Sequence, residues 1–133
     1  MVVSAVVPGT AFCVDNFATN YQRPAVFFLT HCHADHMGGL DPYWRGQLHT
    51  SVTSALYLRR KFGTAFRAFT VTHELDVPFD VLDPASNRFV TCTFVDAAHC
   101  PGAVMIIFEN LPNGRGPVIH TGDFRYVPEM KQN

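Results

Sequence analysis

The sequence predicts a mixed α/β (α+β) fold whose core is made largely of β-sheet. Short apolar segments rich in β-branched residues outnumber helical patterns, and at least one helical pattern is present. The length of 133 residues is that of one ordinary domain or of a part of a larger one. Hydrophobic residues make up 47% of the chain and charged residues 16%, which is typical of a globular protein rather than a disordered one.

Six segments are predicted to be strands because they combine β-branched and aromatic residues between turn signals. They are residues 2–7, 11–14, 25–30, 89–95, 103–108 and 118–121. Within the fourth segment, Val90, Cys92 and Phe94 alternate with the other residues and therefore share one face. The pair Asn113-Gly114 lies between two apolar runs and predicts a hairpin with a connection longer than the minimal one.

One α-helix is predicted between the strand segments. Thr50 or Ser51 can act as its N-cap, apolar residues recur over the following turns, and Gly63 can end it in the left-handed region. A second, shorter helix is predicted from Asp41 to Arg45, after two consecutive glycines. The helical segments are few, so the sheet is expected to dominate the core.

Charge and hydropathy limit the classes of partner that the sequence indicates. The net charge is −1 and the pI about 6.6, so no global basic field indicates nucleic acid, although a local groove could still bind it. The longest apolar runs, such as residues 103–108, are too short to span a bilayer, and no membrane partner is expected. Four scattered cysteines do not form a disulfide pattern and indicate a reducing compartment.

The segment THCHADHMGG, residues 30–39, carries four metal-ligand types within six positions. It follows an apolar strand. If the extended geometry continues, His31 and His33 point to the same face, about 7 Å apart at the backbone, and can converge on one ion. Asp35 and His36 come where the chain must turn, so they can approach a second ion. This crowding predicts a metal site. Cys32 would face away and is predicted to be a small buried hydrophobic residue.

Two later residues fit the same site. His99 directly follows the strand 89–95, and Asp123 directly follows the strand 118–121. Loops at strand ends are where a rigid sheet gathers functional side chains. Asp123 carries a carboxylate that can bridge two divalent ions. Imidazole and carboxylate groups together are ligand types that suit Zn²⁺.

Four motifs give the chain a recognisable resemblance. They are PGTAFCVDNF (8–17), FFLTHCHADHMGGL (27–40), DAAHCPGAVMIIFE (96–109) and HTGDFRYVPEM (120–130). The second resembles the signature of the metallo-β-lactamase superfamily. The third and fourth are more specific and resemble the β-CASP branch, within it the DNA cross-link-repair nucleases related to Artemis. The resemblance covers nearly all of residues 8–130.

The resemblance implies a fold and a set of ligands. The fold would be the N-terminal half of the αββα metallo-β-lactamase sandwich. The first metal site would consist of His31, His33, His99 and Asp123. Asp35 and His36, with Asp123 shared, would begin the second site and form the catalytic centre with it. Asp15 would orient histidine ligands by hydrogen bonding, with a plain turn carboxylate as the alternative.

The resemblance also implies that residues 1–133 are the N-terminal part of a longer domain. A β-CASP domain, the second half of the sandwich and a histidine that completes the second metal site are expected outside this chain. The isolated chain is therefore expected to hold one ion tightly, to show little or no nuclease activity and to expose an apolar face that favours self-association.

The activity implied is 5′-to-3′ exonuclease hydrolysis of DNA phosphodiester bonds in interstrand cross-link repair, in the nucleus. Two alternatives stay open. The same metal cluster can serve a hydrolase of a small thioester or lactam, and the chain can instead be a metal-binding interaction module without activity. The sequences around His99 and Asp123 favour the nuclease.

The remaining histidines and a basic run are weaker candidates for the site. His120 is predicted to pack within its strand, with a direct ligand role as the alternative. His49 and His73 lack ligand-type neighbours and are predicted to lie at the surface or to be satisfied internally. A basic patch near the predicted helix end is expected to be solvated and to interact with the helix dipole, with phosphate contact as the alternative. It comprises Arg59, Arg60, Lys61 and Arg67.

Overall fold

The computed structural model of the chain describes residues 5–18, 24–64, 66 and 70–132. These residues form two β-sheets and one α-helix. The strands are β1 (Ala5–Val6), β2 (Phe12–Val14), β3 (Val26–Phe28), β4 (Gln47–Ser51), β5 (Thr70–His73), β6 (Phe79–Asp83), β7 (Arg88–Asp96), β8 (Val104–Glu109) and β9 (Val118–His120), and the helix is α1 (Val52–Phe62). Short 3-10 turns occupy Ala34–His36 and Pro128–Gln132.

The first sheet has the strand order β1-β2-β3-β4-β5. β1 runs antiparallel to β2, whereas β2, β3, β4 and β5 are mutually parallel. The carboxyl ends of the parallel strands therefore meet at one edge, from which the loop after β3 and the helix after β4 emerge. The second sheet, β6-β7-β8-β9, is antiparallel throughout.

Helix α1 begins where the sequence predicts it. The Ser51 hydroxyl accepts a hydrogen bond from the Ser54 N–H at 3.2 Å, which satisfies one of the free donors of the first turn. The helix ends at Gly63, whose φ of 95° lies in the region that favours glycine. Leu58 packs the inner face of the helix into the core.

Two hydrophobic clusters give the fold three layers. The first lies between the two sheets and joins Phe12 and Phe28 to residues of the second sheet such as Phe94 and Phe108. The second lies between the first sheet and helix α1. Neighbouring residues of β3 divide between the clusters, since Val26 and Phe28 face the second sheet and Phe27 faces the helix side. The layer order is helix, sheet, sheet.

The outer face of the second sheet carries no further layer within the described residues. In β7, Val90, Cys92 and Phe94 are fully buried, as predicted, while the intervening residues are half-buried or exposed. β8 shows the same alternation. Strand β3 is therefore covered on both faces, whereas these two antiparallel strands are covered on one. The mixed α/β class and its agreement with the N-terminal half of a metallo-β-lactamase sandwich are confirmed.

Most predicted elements are found, within a residue or two at their ends. The first predicted strand lies partly outside the described residues, and its described part is β1. The Asn113-Gly114 pair lies in the connection between the antiparallel strands β8 and β9, with Gly114 at a φ of 70°. The hairpin prediction is confirmed.

The predicted helix from Asp41 to Arg45 is wrong, because the segment forms turns. The Asp41 carboxylate accepts the Tyr43 N–H at 2.7 Å, a local bond that competes with helix formation. The Trp44 ring is buried edge-on against Phe17 and Phe27. Strands β4, β5 and β6 were not predicted, since β4 and β5 consist largely of polar residues.

No helix in the described residues is long and apolar enough to cross a membrane. All four cysteines are free, which agrees with the absence of a disulfide pattern in the sequence.

Candidate metal centre

The loop after β3 gathers three histidines. The 3-10 turn Ala34–His36, closed by the His36 N–H on the His33 carbonyl at 2.9 Å, folds the chain back on itself. As a result the His31 ring centroid lies 4.7 Å from that of His33 and 4.2 Å from that of His36. His31 and His36 are buried, whereas His33 and Asp35 are exposed.

The second sheet supplies the remaining two groups. His99 follows β7, and its Nε2 lies 3.1 Å from Nδ1 of His33. Asp123 follows β9, and its Oδ2 lies 3.5 Å from Nε2 of His31, 3.4 Å from Nε2 of His36 and 3.7 Å from Nε2 of His99. One carboxylate oxygen therefore faces three imidazole nitrogens. The Arg125 N–H donates to the Ala97 carbonyl at 2.8 Å and ties the two loops together.

Hydrogen bonds behind His31 fix which of its nitrogens faces the centre. The Thr30 hydroxyl donates to Oδ2 of Asp15 at 2.7 Å, so its oxygen is free to accept Nδ1–H of His31 at 2.8 Å. The Thr30 N–H also donates to Asp15, at 2.8 Å. The neutral ring then presents a lone pair on Nε2 toward Asp123.

The same carboxylate orients His36. Oδ2 of Asp15 accepts Nδ1–H of His36 at 2.7 Å, which leaves Nε2 of His36 facing Asp123 and, at 3.6 Å, Oδ2 of Asp35. Asp15 is fully buried. Burial raises the pKa of Asp15, against the lowering effect of the hydrogen bonds from Thr30 and His36.

The donor set fits a divalent cation. One ligand atom from each of His31, His33, His99 and Asp123 lies within 4.8 Å of the others. Nε2 of His31 is buried and has no hydrogen-bond partner, which is costly unless something binds it. Burial, with the neighbouring His36 and His33, lowers the pKa of His31 to about 4, so the ring is neutral and able to coordinate at pH 7. Imidazole nitrogens beside a carboxylate are ligands that zinc prefers.

Several named proteins are similar in sequence to the chain. The chain is 38% identical to mouse 5′ exonuclease Apollo over 129 residues, 94% of this chain and 23% of that protein. It is 35% identical to human DNA cross-link repair 1A protein over 128 residues, 96% of this chain and 11% of that protein. The zebrafish protein Artemis is 35% identical over 126 residues, 84% of this chain and 19% of that protein.

The chain is a relative of the Apollo, DNA cross-link repair 1A and Artemis proteins. It spans about a quarter or less of the length of these relatives. No protein-family model matches it. The resemblance to the β-CASP, cross-link-repair branch of the metallo-β-lactamase superfamily is thus confirmed at 33–38% identity over most of the chain.

Asp35 lies at the margin of this centre. Its carboxylate side chain is 55% exposed, and it belongs to neither group of converging ligand atoms among the described residues. The second group consists of Asp15, His31 and His36. His36 therefore connects the buried carboxylate behind the centre to the two carboxylates in front of it.

The other sequence candidates lie elsewhere. Nδ1 of His120 accepts the Gly122 N–H at 3.2 Å, and His120 belongs to no ligand group of the described residues. His49 is buried rather than at the surface, and its Nδ1 lies 2.7 Å from Nε2 of His73. Cys32 is half-buried and packs against the cluster below helix α1. The basic residues 59–61 form the last turn of α1, and Arg67 lies outside the described residues.

Thr30 was not singled out from the sequence, although it connects Asp15 to His31. Only its place directly before the first histidine hints at this. Gly122, directly before Asp123, lies close to Thr30. A Cβ at Gly122 would lie 2.9 Å from the Thr30 hydroxyl oxygen, and the φ of Gly122 is 52°. A larger residue at position 122 would displace Thr30, Asp123 or both.

Proposed function

We propose that this chain is the metal-holding part of a metal-dependent DNA nuclease. The observation that carries the proposal is the convergence of His31, His33, His99 and Asp123 around a buried imidazole nitrogen that has no other partner. We further propose that residues 1–133 are the N-terminal part of a metallo-β-lactamase domain. A β-CASP domain and the second half of the sandwich would then come from elsewhere in the full protein.

The reaction proposed is 5′-to-3′ exonuclease hydrolysis of DNA phosphodiester bonds during interstrand cross-link repair, in the nucleus. It is supported by the names of the relatives, which are a 5′ exonuclease and DNA cross-link-repair proteins. Each phosphodiester of the DNA backbone carries one negative charge, and a cation in this centre would attract it. The chain's own net charge of −1 gives no comparable attraction.

Zn²⁺ is the proposed cofactor, held by His31, His33, His99 and Asp123. A second divalent ion would bind more weakly beside Asp35, His36 and Asp123, because the chain offers fewer ligands there. When bound, such ions supply hydroxide at neutral pH and draw charge from the phosphate oxygens and the leaving group.

The protein's own groups hold that centre in one protonation state. Asp15 accepts hydrogen bonds from the Thr30 hydroxyl and from Nδ1–H of His36, and the Thr30 oxygen accepts Nδ1–H of His31. Nε2 of both His31 and His36 therefore carries a lone pair. Asp35, exposed beside His36, would accept a hydrogen bond from the attacking water and orient it. We propose this catalytic role for Asp35 and His36.

The half-exposed outer face of the second sheet has a consequence for the isolated chain. Phe89 of β7 is 63% exposed and Ile119 of β9 is 57% exposed, both on this outer face. We propose that this face favours self-association of the chain alone and that the chain alone degrades DNA slowly or not at all.

The nuclease assignment is tested in the full gene product that contains this chain. Asp35→Ala and His36→Ala should each lower the degradation rate of a 5′-phosphorylated DNA strand by a thousandfold or more, in line with the loss of a metal-supported centre. Tyr43→Ala, at an exposed site in the neighbouring turn, is the matched control and should retain the rate. Near wild-type degradation by either site variant would refute the assignment.

A further inference from the structure

The loop that carries His99 is bound to the start of helix α1 by two serine hydroxyls. The Ser51 hydroxyl donates to the Gly102 carbonyl at 2.7 Å, and the Ser54 hydroxyl donates to the same carbonyl at 3.3 Å. Both serines are buried. The bonds join parts of the chain about 50 residues apart in sequence, 51 for Ser51 and 48 for Ser54.

The backbone at Gly102 also approaches the first turn of helix α1 closely. Gly102 has a φ of 83°, and a Cβ at this position would lie 3.0 Å from the Ser54 nitrogen, the Ser54 hydroxyl oxygen and Cβ of Thr53. The loop backbone therefore rests directly on the first turn of the helix. A glycine satisfies both demands, the positive φ and the absence of a side chain.

The loop itself is short and internally closed. The Ala97 N–H donates to the Ala103 carbonyl at 3.1 Å across its base, and the Ala103 N–H donates to the Cys100 carbonyl at 3.0 Å across its tip. At its start, the Ala98 N–H donates to Oδ1 of Asp96 at 2.9 Å. His99 lies inside this frame, so the place where Gly102 is held sets where the His99 imidazole points.

Among the described residues, the hydrogen bonds and ion pairs of the His99 side chain, which is 29% exposed, are with other groups of the candidate centre. Its loop is also tied to the Asp123 loop by the Arg125 N–H on the Ala97 carbonyl. His31 and His36, in contrast, are each oriented from behind through Nδ1 by Thr30 or Asp15. The orientation of His99 therefore depends on its loop.

We infer that Ser51 and Ser54 are positioning residues for His99, acting through the Gly102 carbonyl. The inference rests on the proposed metal centre. In this arrangement Ser51 has two roles, because its oxygen caps helix α1 by accepting the Ser54 N–H while its O–H holds the loop. The start of the helix and the third histidine are thereby placed by one side chain.

A role in the helix alone and a positioning role predict different results for Ser54→Ala. Alanine is a better helix former than serine, so a helix-only role predicts that Ser54→Ala leaves the protein as stable or slightly more stable. A positioning role predicts weaker metal binding by the same variant. Changing a group that orients a metal ligand typically lowers metal affinity by about 10–100-fold.

The experiment measures Zn²⁺ affinity of the 133-residue chain by chelator competition, with the visible spectrum of the Co²⁺-loaded chain as a second readout. Ser54→Ala and Ser51→Gly should each weaken Zn²⁺ binding by about tenfold and lower the Co²⁺ band intensity. Glycine retains most of the capping energy at Ser51, so that variant removes chiefly the O–H. Ser51→Thr keeps the hydroxyl and should restore wild-type affinity.

Ser86→Ala is the matched control. It removes a side-chain hydrogen bond of 2.6 Å to Asp83 at the opposite end of β7, and Zn²⁺ affinity should be unchanged. Affinities and Co²⁺ spectra of Ser54→Ala and Ser51→Gly that match wild type would overturn the positioning inference while leaving the metal centre intact. A wild-type chain that binds no metal would overturn the proposed centre and the inference together.

Discussion

The molecule contains two groups of histidines that differ in what their ring nitrogens face. His49 and His73 satisfy each other: the Gln47 amide donates to Nε2 of His49 at 2.9 Å, and Nδ1–H of His49 donates to Nε2 of His73 at 2.7 Å. At the candidate metal centre, Nε2 of His31 is buried without a partner and faces the Asp123 carboxylate.

The surroundings differ in the same way. The His73 ring stacks on Phe79 at 3.4 Å between centroids and the His49 ring stacks on Phe28 at 5.2 Å, so the pair is part of the packing between the sheets. The rings of the metal centre contact one another and two carboxylates. A histidine with its polar atoms paired and its ring stacked stabilises the fold, whereas one with a free buried lone pair indicates a ligand.

Removing one histidine from each group tests the distinction between them and gives the largest expected effects. His31→Ala should lower Zn²⁺ affinity by well over a hundredfold, because a ligand is lost, a larger change than the loss of an orienting group. His49→Ala should retain Zn²⁺ binding but lower the free energy of unfolding by about 1–3 kcal/mol, because buried ring packing is lost and a partly buried nitrogen of His73 loses its partner. Chelator competition and urea unfolding measure the two effects. The same response to both substitutions would contradict the distinction.

A smaller loss is expected when the group behind the centre is changed. Asp15→Asn keeps the size of the side chain but removes the carboxylate that accepts hydrogen bonds from Thr30 and His36. Zn²⁺ affinity should fall by about 10–100-fold. Asp83→Asn, at another buried aspartate far from the centre, is the control for general destabilisation and should leave the affinity unchanged.

The paired histidines should make stability depend on pH. Burial lowers the pKa of His49 and of His73 to about 4. Because the unfolded chain binds these protons near pH 6.5, their contribution is fully present above pH 6.5 and is lost as the pH falls from there toward 4.

The measurement is urea unfolding of the metal-free chain at a series of pH values. The double variant His49→Gln, His73→Gln should show a smaller loss of stability between pH 6.5 and 4 than the wild type. His31, whose pKa is also lowered to about 4, remains in both proteins, so the difference isolates the pair. Equal pH slopes would show that the pair is not buried and neutral.

The smallest effect is expected at His120. Its Nδ1 already accepts the Gly122 N–H, and it lies in no ligand group of the described residues. His120→Gln should therefore leave the Zn²⁺ stoichiometry unchanged and the affinity within about twofold. A loss of bound zinc, measured by elemental analysis, would move His120 into the centre.

The sequence predicted those parts of the molecule that have a short-range pattern. The alternation in β7, the N-cap at Ser51 and the crowding of His31, His33, Asp35 and His36 are all visible within a few residues. Strands β4 and β5 were not predicted because they consist largely of polar residues. These residues adopt the strand conformation through parallel pairing of β4 with β3 and of β5 with β4. The Asp41–Arg45 segment was misassigned because a side-chain bond of Asp41 favours a turn.

The same distinction between short-range and long-range patterns applies to the metal centre. Its candidate ligands were predicted, because histidine and aspartate stand out at strand ends. The groups that orient them were mostly not predicted. Thr30 acts through a hydroxyl between Asp15 and His31, and Ser51 and Ser54 act on a loop about 50 residues away, which no local pattern reveals.

The central claim is that His31, His33, His99 and Asp123 bind one metal ion. X-ray absorption at the zinc edge, on the chain loaded with one equivalent of Zn²⁺, tests it most directly. We expect scattering from three imidazoles with Zn–N distances of about 2.0–2.1 Å and an oxygen shell at about 2.0–2.2 Å. The imidazole count should fall to two in both His33→Ala and His99→Ala. A zinc ion without imidazole scattering, or an imidazole count unchanged by these substitutions, would contradict the account.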